Sequence, residues 1–382
     1  NSKTKCMSGE YFMKKVLFLI HDLGQGGAEK VLVNLVNKMN INEFDITLLS
    51  IFDVGENKQF LRKEVKYKYI FKRVFRGNSY FMKLLTPKQL HNCFIKEHYD
   101  VEISFLEGPC ARIISGCTDI NTKLITWIHI EQKNVRRAIA PFRSYKEAND
   151  CYNRFDKIFC VSKGVKRDFT SIFDIKKEVK VMYNVIDTEY IKKMSKVQVS
   201  NTIFMHDTFK IIAVGKLLKS KGFDRILKIV RSLINEGIII HLYILGSGPE
   251  EKTIKKYIKE NNMEKYVDLI GYDINPYKYM SKCDLFVCAS YAEGFSTAAT
   301  EALVLGLPVC TVNVSGMDEL LGKNNSFGVI TENEDNALYQ GIKLLIKNDA
   351  LYRFYQEKAN ERGKCFDMNR TTSMVENELI NL

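Results

Sequence analysis

Short apolar runs and segments of helical period alternate along almost the whole chain, the pattern of parallel sheets covered by helices. In the first half, 15–21, 44–52, 101–105, 123–129, 157–161 and 179–182 read as strands, with helical segments such as 28–39 between them. In the second half, 209–214, 238–245, 267–270, 285–288 and 309–312 read as strands, separated by helices such as 224–235 and 249–260. The polar stretch 187–207 has no strong period and reads as a linker. The expected fold is α/β, with two Rossmann-like doubly wound parallel-sheet domains facing across a cleft. The boundaries fall at 13–190, a linker at 191–208, a second domain at 209–365, and a terminal helix over 366–382 free to pack back on the N-terminal domain. A length of 382 residues also asks for two cores.

In such sheets ligands bind at the carboxyl ends of the strands. After Leu285-Phe286-Val287-Cys288 comes Glu293-Gly294-Phe295-Ser296-Thr297-Ala298-Ala299-Thr300-Glu301. This spacing predicts a loop carrying Glu293 and a helix starting near Thr297, with Glu301 about one turn inside it. A helix start offers free N–H groups to a phosphate, and flanking carboxylates offer acceptors to sugar hydroxyls. The ligand this predicts is a nucleotide sugar. Three further loops end strands: Gly24-Gln25-Gly26-Gly27-Ala28-Glu29, Val214-Gly215-Lys216 with Lys221-Gly222, and Leu245-Gly246-Ser247-Gly248-Pro249. The first lacks the third glycine of a dinucleotide fingerprint, while Lys216 and Lys221 are placed to converge on a diphosphate as point charges.

Charge changes the picture once it is located. The formal net charge is +12, and residues 13–200 carry 33 Lys+Arg against 21 Asp+Glu while 201–382 carry 22 against 23. Within the first half, Arg62, Lys63, Lys66, Lys68, Lys72, Arg73 and Arg76 interleave with Tyr67, Tyr69, Phe71 and Phe75. Basic residues mixed with aromatics fit an anionic membrane surface or a nucleic acid, and equally a solvated face.

No apolar run approaches the length of a membrane span, and 16–20 is too short for a signal-peptide core. Residues 1–12 carry no pattern, and Met13 is a candidate start. The ten cysteines include no C-x-x-C, and Cys160, Cys288 and Cys310 lie in apolar runs, which points to free thiols in a reducing compartment. The histidines and cysteines do not cluster along the chain at zinc-ligand spacing.

Taken together, these loops resemble the retaining family-4 glycosyltransferases of GT-B architecture. The resemblance runs from Met13 onward through Gly26-Gly27-Ala28-Glu29, Val161-Ser162-Lys163, Tyr183-Asn184-Val185-Ile186-Asp187, the two lysines, Gly246-Ser247-Gly248-Pro249 and the E-x7-E segment followed by Gly306-Leu307-Pro308. It implies that Lys216 and Lys221 hold the donor diphosphate, Glu293 with Gly294, Phe295, Ser296 and Thr297 binds the donor sugar, and Glu301 takes the ribose. It further implies Tyr272 and Gly246 near the nucleotide, Gly26 and Gly27 on the facing domain, and His129 beside the reacting sugar. Glu293 is not thereby a nucleophile, since the family reacts on one face of the sugar without a covalent intermediate. Two positions depart from the usual pattern: Lys216, where Arg is common, and Ser296, where Pro or Gly is common.

The resemblance also implies a UDP-sugar donor, hexosyl or N-acetylhexosaminyl transfer to a lipid-linked saccharide in bacterial surface-polysaccharide or capsule synthesis, and docking from the cytoplasm on the inner membrane face. It implies no metal and no cofactor, in keeping with the absence of Asp-x-Asp, and no nucleic-acid partner. The alternatives left open are a glycolipid synthase, a GT-B nucleotide-sugar epimerase and a non-catalytic sugar-binding protein; a dinucleotide-dependent oxidoreductase fits poorly without the third glycine.

Overall fold

The structure, a computed structural model, describes residues 13–199, 204 and 208–382. Among the described residues, thirteen parallel strands form two sheets. The first has the order β3-β2-β1-β4-β5-β6-β7, with β1 Lys14–Ile20, β2 Phe44–Phe52, β3 Lys66–Phe71, β4 Val101–Ser104, β5 Lys123–Ile128, β6 Lys157–Cys160 and β7 Val179–Val181. The second has the order β10-β9-β8-β11-β12-β13, with β8 Phe209–Val214, β9 Ile240–Leu245, β10 Val267–Gly271, β11 Leu285–Cys288, β12 Val309–Val312 and β13 Val329–Thr331. Helices cover both faces, so the central strands are buried on both sides, as in Val16–Ile20 and Leu285–Cys288. In each sheet the strand order reverses beside its first strand, between β1 and β4 and between β8 and β11. A crevice opens at such a switch point, and the two crevices face each other.

Two strands escape the sequence pattern. β13 is three residues long, too short to show a period. β3 lies inside the basic–aromatic stretch, where Lys66-Tyr67-Lys68-Tyr69 alternates as an exposed edge strand does but carries no apolar run. It is an edge strand, and lysines on an edge discourage pairing with another chain. Lys66 pairs with Asp45 (2.7 Å), Lys68 pairs with Glu97, and Arg62 donates to the carbonyls of Asn37 (3.0 Å) and Met39 (2.8 Å) at the end of helix Gly27–Lys38. These three of the seven predicted membrane-binding residues have partners within the first domain. Lys63, Lys72, Arg73 and Arg76 remain exposed.

Part of the expected linker is helical. Asp187 accepts from the backbone N–H of Tyr190 (2.9 Å) and starts helix Thr188–Ser195, whose Ile191 is buried. Residues 200–203 and 205–207 of the linker prediction lie outside the described residues. At the end of the second domain, helix Asp349–Gly363 packs on helix Thr297–Val304, and helix Met368–Ile380 returns to the first domain. There Glu378 pairs with Lys157 (2.7 Å) and Lys180 (2.8 Å), Lys14 donates to Leu379 O (2.7 Å), and Val375 and Leu379 are buried. Among the described residues, no helix is long and apolar enough to cross a membrane.

Candidate active site

The loop after β11 is built around Glu293. Its Oε1 accepts from Lys221 Nζ (2.7 Å) and from Ser290 Oγ (2.6 Å), and its Oε2 has no hydrogen bond among the described residues. Lys221 closes the short 3₁₀ turn Lys219–Lys221 after β8. The next residue, Gly222, has φ 68°, and a Cβ there would meet Ala289 O at 2.1 Å, so only glycine lets the two loops approach closely enough for the pair. Burial disfavours the Lys221 ammonium, but the Glu293 charge outweighs it and holds the pKa above the ordinary lysine value. Ser296, at one of the departures from the family pattern, caps the next helix: its side chain accepts from Ala299 N (3.3 Å) at the start of helix Thr297–Val304.

Glu301 lies buried on that helix. Its Oε1 accepts from Tyr277 OH (2.9 Å) and from Lys30 Nζ of the first domain (2.7 Å), and Lys30 also donates to Tyr277 OH and lies over its ring. Burial, then the Glu301 charge, push the Tyr277 hydroxyl well above its ordinary value, so it stays a neutral donor. Glu301 Oε2 again has no hydrogen bond among the described residues. Both carboxylates of the E-x7-E segment are thus anchored through one oxygen and keep the other free in the cleft.

The first domain approaches from the other side. Gly26 caps helix Gly27–Lys38 without a side chain, and a Cβ on Gly27 would stand 2.5 Å from Thr297 Oγ1. A Cβ on Gly294 would stand 1.7 Å from His129 O. Ser247 Oγ donates to Gln25 Oε1 (2.7 Å), and Ser162 Oγ donates to Gly294 O (2.9 Å). His129 follows β5 with its ring 4.8 Å from that of Phe105 and its Nε2 unpartnered among the described residues; burial lowers its pKa from 6.5 to about 3, so the imidazole is neutral at physiological pH. Its backbone N–H donates to Glu107 (2.9 Å), whose carboxyl is pushed up by burial.

These walls enclose a cavity of about 760 Å³. Every predicted donor-site and catalytic residue lines it: Gly26, Gly27, His129, Lys216, Lys221, Gly246, Tyr272, Glu293 to Thr297 and Glu301. None of the predicted membrane-binding residues does. Lys216 forms no ion pair among the described residues. Lys30, Tyr277, Glu107 and Arg137 also line the cavity and were not among the expected residues. Lys30 stands three residues beyond Gly27, so its helical position beside the glycine loop was the available signal.

One cluster away from the cleft could hold a metal. His91, Glu102 and Cys117, distant in sequence, meet in the first domain with ligand atoms within 4.8 Å of one another. This proximity arises from the fold and could not be read from spacing along the chain. Burial disfavours charge on His91, but hydrogen bonds to Cys117 and to Glu102 (2.8 Å) outweigh it and raise its pKa to about 9. The histidine therefore binds a proton in this arrangement, a buried His–carboxylate pair.

Comparison with known proteins gives the family and the fold. Residues 25–190 match the family described as Glycosyltransferase Family 4, and residues 197–362 match Glycosyl transferases group 1. The chain is similar to N-acetylgalactosamine-N,N'-diacetylbacillosaminyl-diphospho-undecaprenol 4-alpha-N-acetylgalactosaminyltransferase of Campylobacter jejuni, with 31% identity over 370 residues, 93% of this chain and 96% of that one. An uncharacterized glycosyltransferase of Haemophilus influenzae is 25% identical over 91% of this chain and 94% of its own length. Among solved structures, Anabaena HepE in complex with UDP and glucose superposes with a TM-score of 0.77 at 19% identity, covering 97% of this chain and 100% of that one. The fold is that of a two-domain GT-B protein. The chain belongs to the family-4 glycosyltransferases.

Proposed function

We propose that this enzyme moves a hexosyl or N-acetylhexosaminyl group from a UDP-sugar to a lipid-linked saccharide, with retained configuration. The observation that supports this reading best is the pair of glutamates anchored through one oxygen and open through the other. Glu293 Oε2 accepts from hydroxyls of the donor sugar, and Glu301 Oε2 accepts from the ribose. Lys221 and Lys216 neutralise the diphosphate, assisted by the N–H groups at the start of helix Thr297–Val304. Tyr272 borders the base, and neutral His129 offers a hydrogen bond to the sugar without adding charge.

As the bond from the anomeric carbon to the diphosphate oxygen breaks, the lysines hold the growing negative charge. The acceptor oxygen bonds to the same face of the sugar, and its proton passes to the departing diphosphate. Glu293 is already committed to Lys221 and Ser290, which suits a hydroxyl clamp rather than a nucleophile. With two cations at the diphosphate, the reaction needs neither a metal nor a cofactor. The diphospho-undecaprenol acceptor in the name of the Campylobacter relative supports a lipid-linked acceptor here.

A thermal-shift panel of nucleotide sugars tests the donor. At 100 times its Kd a true donor stabilises by about 2.7 kcal/mol. Transfer to a polyprenyl-diphosphate saccharide should then survive EDTA. Interconversion of the free nucleotide sugar, with no transfer, would instead make the protein an epimerase.

A further inference from the structure

The donor lysines lie on the second-domain wall, yet one guanidinium from the first domain also lines the cleft: Arg137. We propose that Arg137 receives the diphosphate of the acceptor lipid, an inference that rests on the lipid-linked reading above. Arg136 and Arg137 form no ion pair among the described residues, whereas their neighbour Lys133 is held by Glu131 (3.0 Å). Glu131 also accepts from Ser315 Oγ of the second domain (2.7 Å), which seats this segment across the cleft. Asn134 accepts from Arg137 N (3.2 Å) and starts helix Val135–Ala138, so the backbone of Arg137 is fixed while its guanidinium stays exposed at the cleft.

From there the chain runs to an apolar surface. Pro141 packs against Gly108, where a Cβ would stand 2.9 Å from its ring, beside Glu107 of the cleft. Arg143 then donates to Lys83 O (2.6 Å) and Leu84 O (2.6 Å), and Arg112 donates to Met82 O (2.6 Å) and Leu85 O (2.7 Å). These bonds tie down the end of helix Asn78–Leu84, which exposes Tyr80, Phe81 and Leu84. Arg137 and Arg143 are at most about 20 Å apart along the chain. A prenyl diphosphate carrying a saccharide has the same order of parts: an apolar tail, a dianion and a polyhydroxyl head. The guanidinium fork suits the dianion because it can engage two phosphate oxygens at once.

The test is calorimetric titration of the full chain with farnesyl diphosphate and with farnesol, both in the presence of saturating UDP so that the donor lysines are occupied. UDP binding by the wild type, measured first, examines the donor reading separately. Wild type should prefer the diphosphate by at least tenfold. Arg137→Ala should abolish most of that preference and Arg137→Lys should keep part of it, with UDP affinity and thermal denaturation unchanged in both. Farnesyl diphosphate binding by Arg137→Ala equal to wild type would overturn the proposal. So would an equal loss of UDP affinity, which would place Arg137 on the donor.

Discussion

Glu293 and Lys221 act as a unit, and removing Lys221 leaves the buried Glu293 carboxylate without its cation. Glu293→Gln keeps the shape of the clamp and removes its charge. The expected result is a fall in kcat of about a hundredfold, with stabilisation by UDP retained and the additional stabilisation by the whole UDP-sugar lost. Equal loss with UDP and UDP-sugar would show that the carboxylate serves the nucleotide instead. His129 carries a pH signature. Its folded pKa of about 3 lies below the ordinary 6.5, because burial disfavours the imidazolium. The unfolded chain therefore binds the extra proton between these values. Stability from this group is complete above pH 6.5 and drains as pH falls toward 3, by up to about 1.4 kcal/mol per pH unit. Urea denaturation of His129→Leu should show a shallower acid slope than wild type; parallel slopes would mean that the ring is solvated.

Among the elements, the glycine loops set how closely the domains meet. The Gly294→Ala methyl would fall 1.7 Å from a backbone oxygen of the first domain, which no rotamer change can relieve. The variant is expected to fold, to bind UDP on the second domain and to lose transfer, with small-angle scattering showing a wider molecule than wild type. An unchanged scattering curve and full activity would show that the cleft works without this contact. The same elements show what was legible in the sequence. β2, β8, β11 and β12 matched their apolar runs residue for residue, because buried parallel strands are continuous and hydrophobic. The start of helix Thr297–Val304 was legible from the apolar run of β11 followed by the loop of the E-x7-E segment, and the Ser296 cap explains its position. β3 was obscured because its alternation of Lys66 and Lys68 with tyrosines contains no apolar run, and helix Thr188–Ser195 by its single buried isoleucine. The Lys30–Glu301 pair joins residues 271 positions apart, and only the topology of the fold brings them together.

For the molecule as a whole, the charge excess of the first half resolves into two parts. Arg62, Lys66 and Lys68 have partners within the first domain. Lys72, Arg73, Arg76 and Lys83 instead surround the exposed Val74, Phe75, Tyr80, Phe81 and Leu84. We propose this second patch as the membrane-docking face, on the cytoplasmic side of the inner membrane, with each basic residue near an anionic leaflet contributing about 1 kcal/mol. Co-sedimentation with anionic vesicles should weaken as salt rises, and the double variant Tyr80→Ser/Leu84→Ser should release the protein without altering UDP binding. Salt-independent binding, or full binding by that variant, would move the docking face elsewhere.

Helix Met368–Ile380 belongs to the first domain in space but follows the second domain in the chain. During synthesis domains generally fold in order of emergence. Here the first domain leaves the ribosome without the residues that cover Lys14, Lys157 and Lys180, and it waits for the second domain to be translated before Val375 and Leu379 arrive. The nascent N-terminal half therefore presents an unfinished apolar seat to chaperones until the last few dozen residues are free.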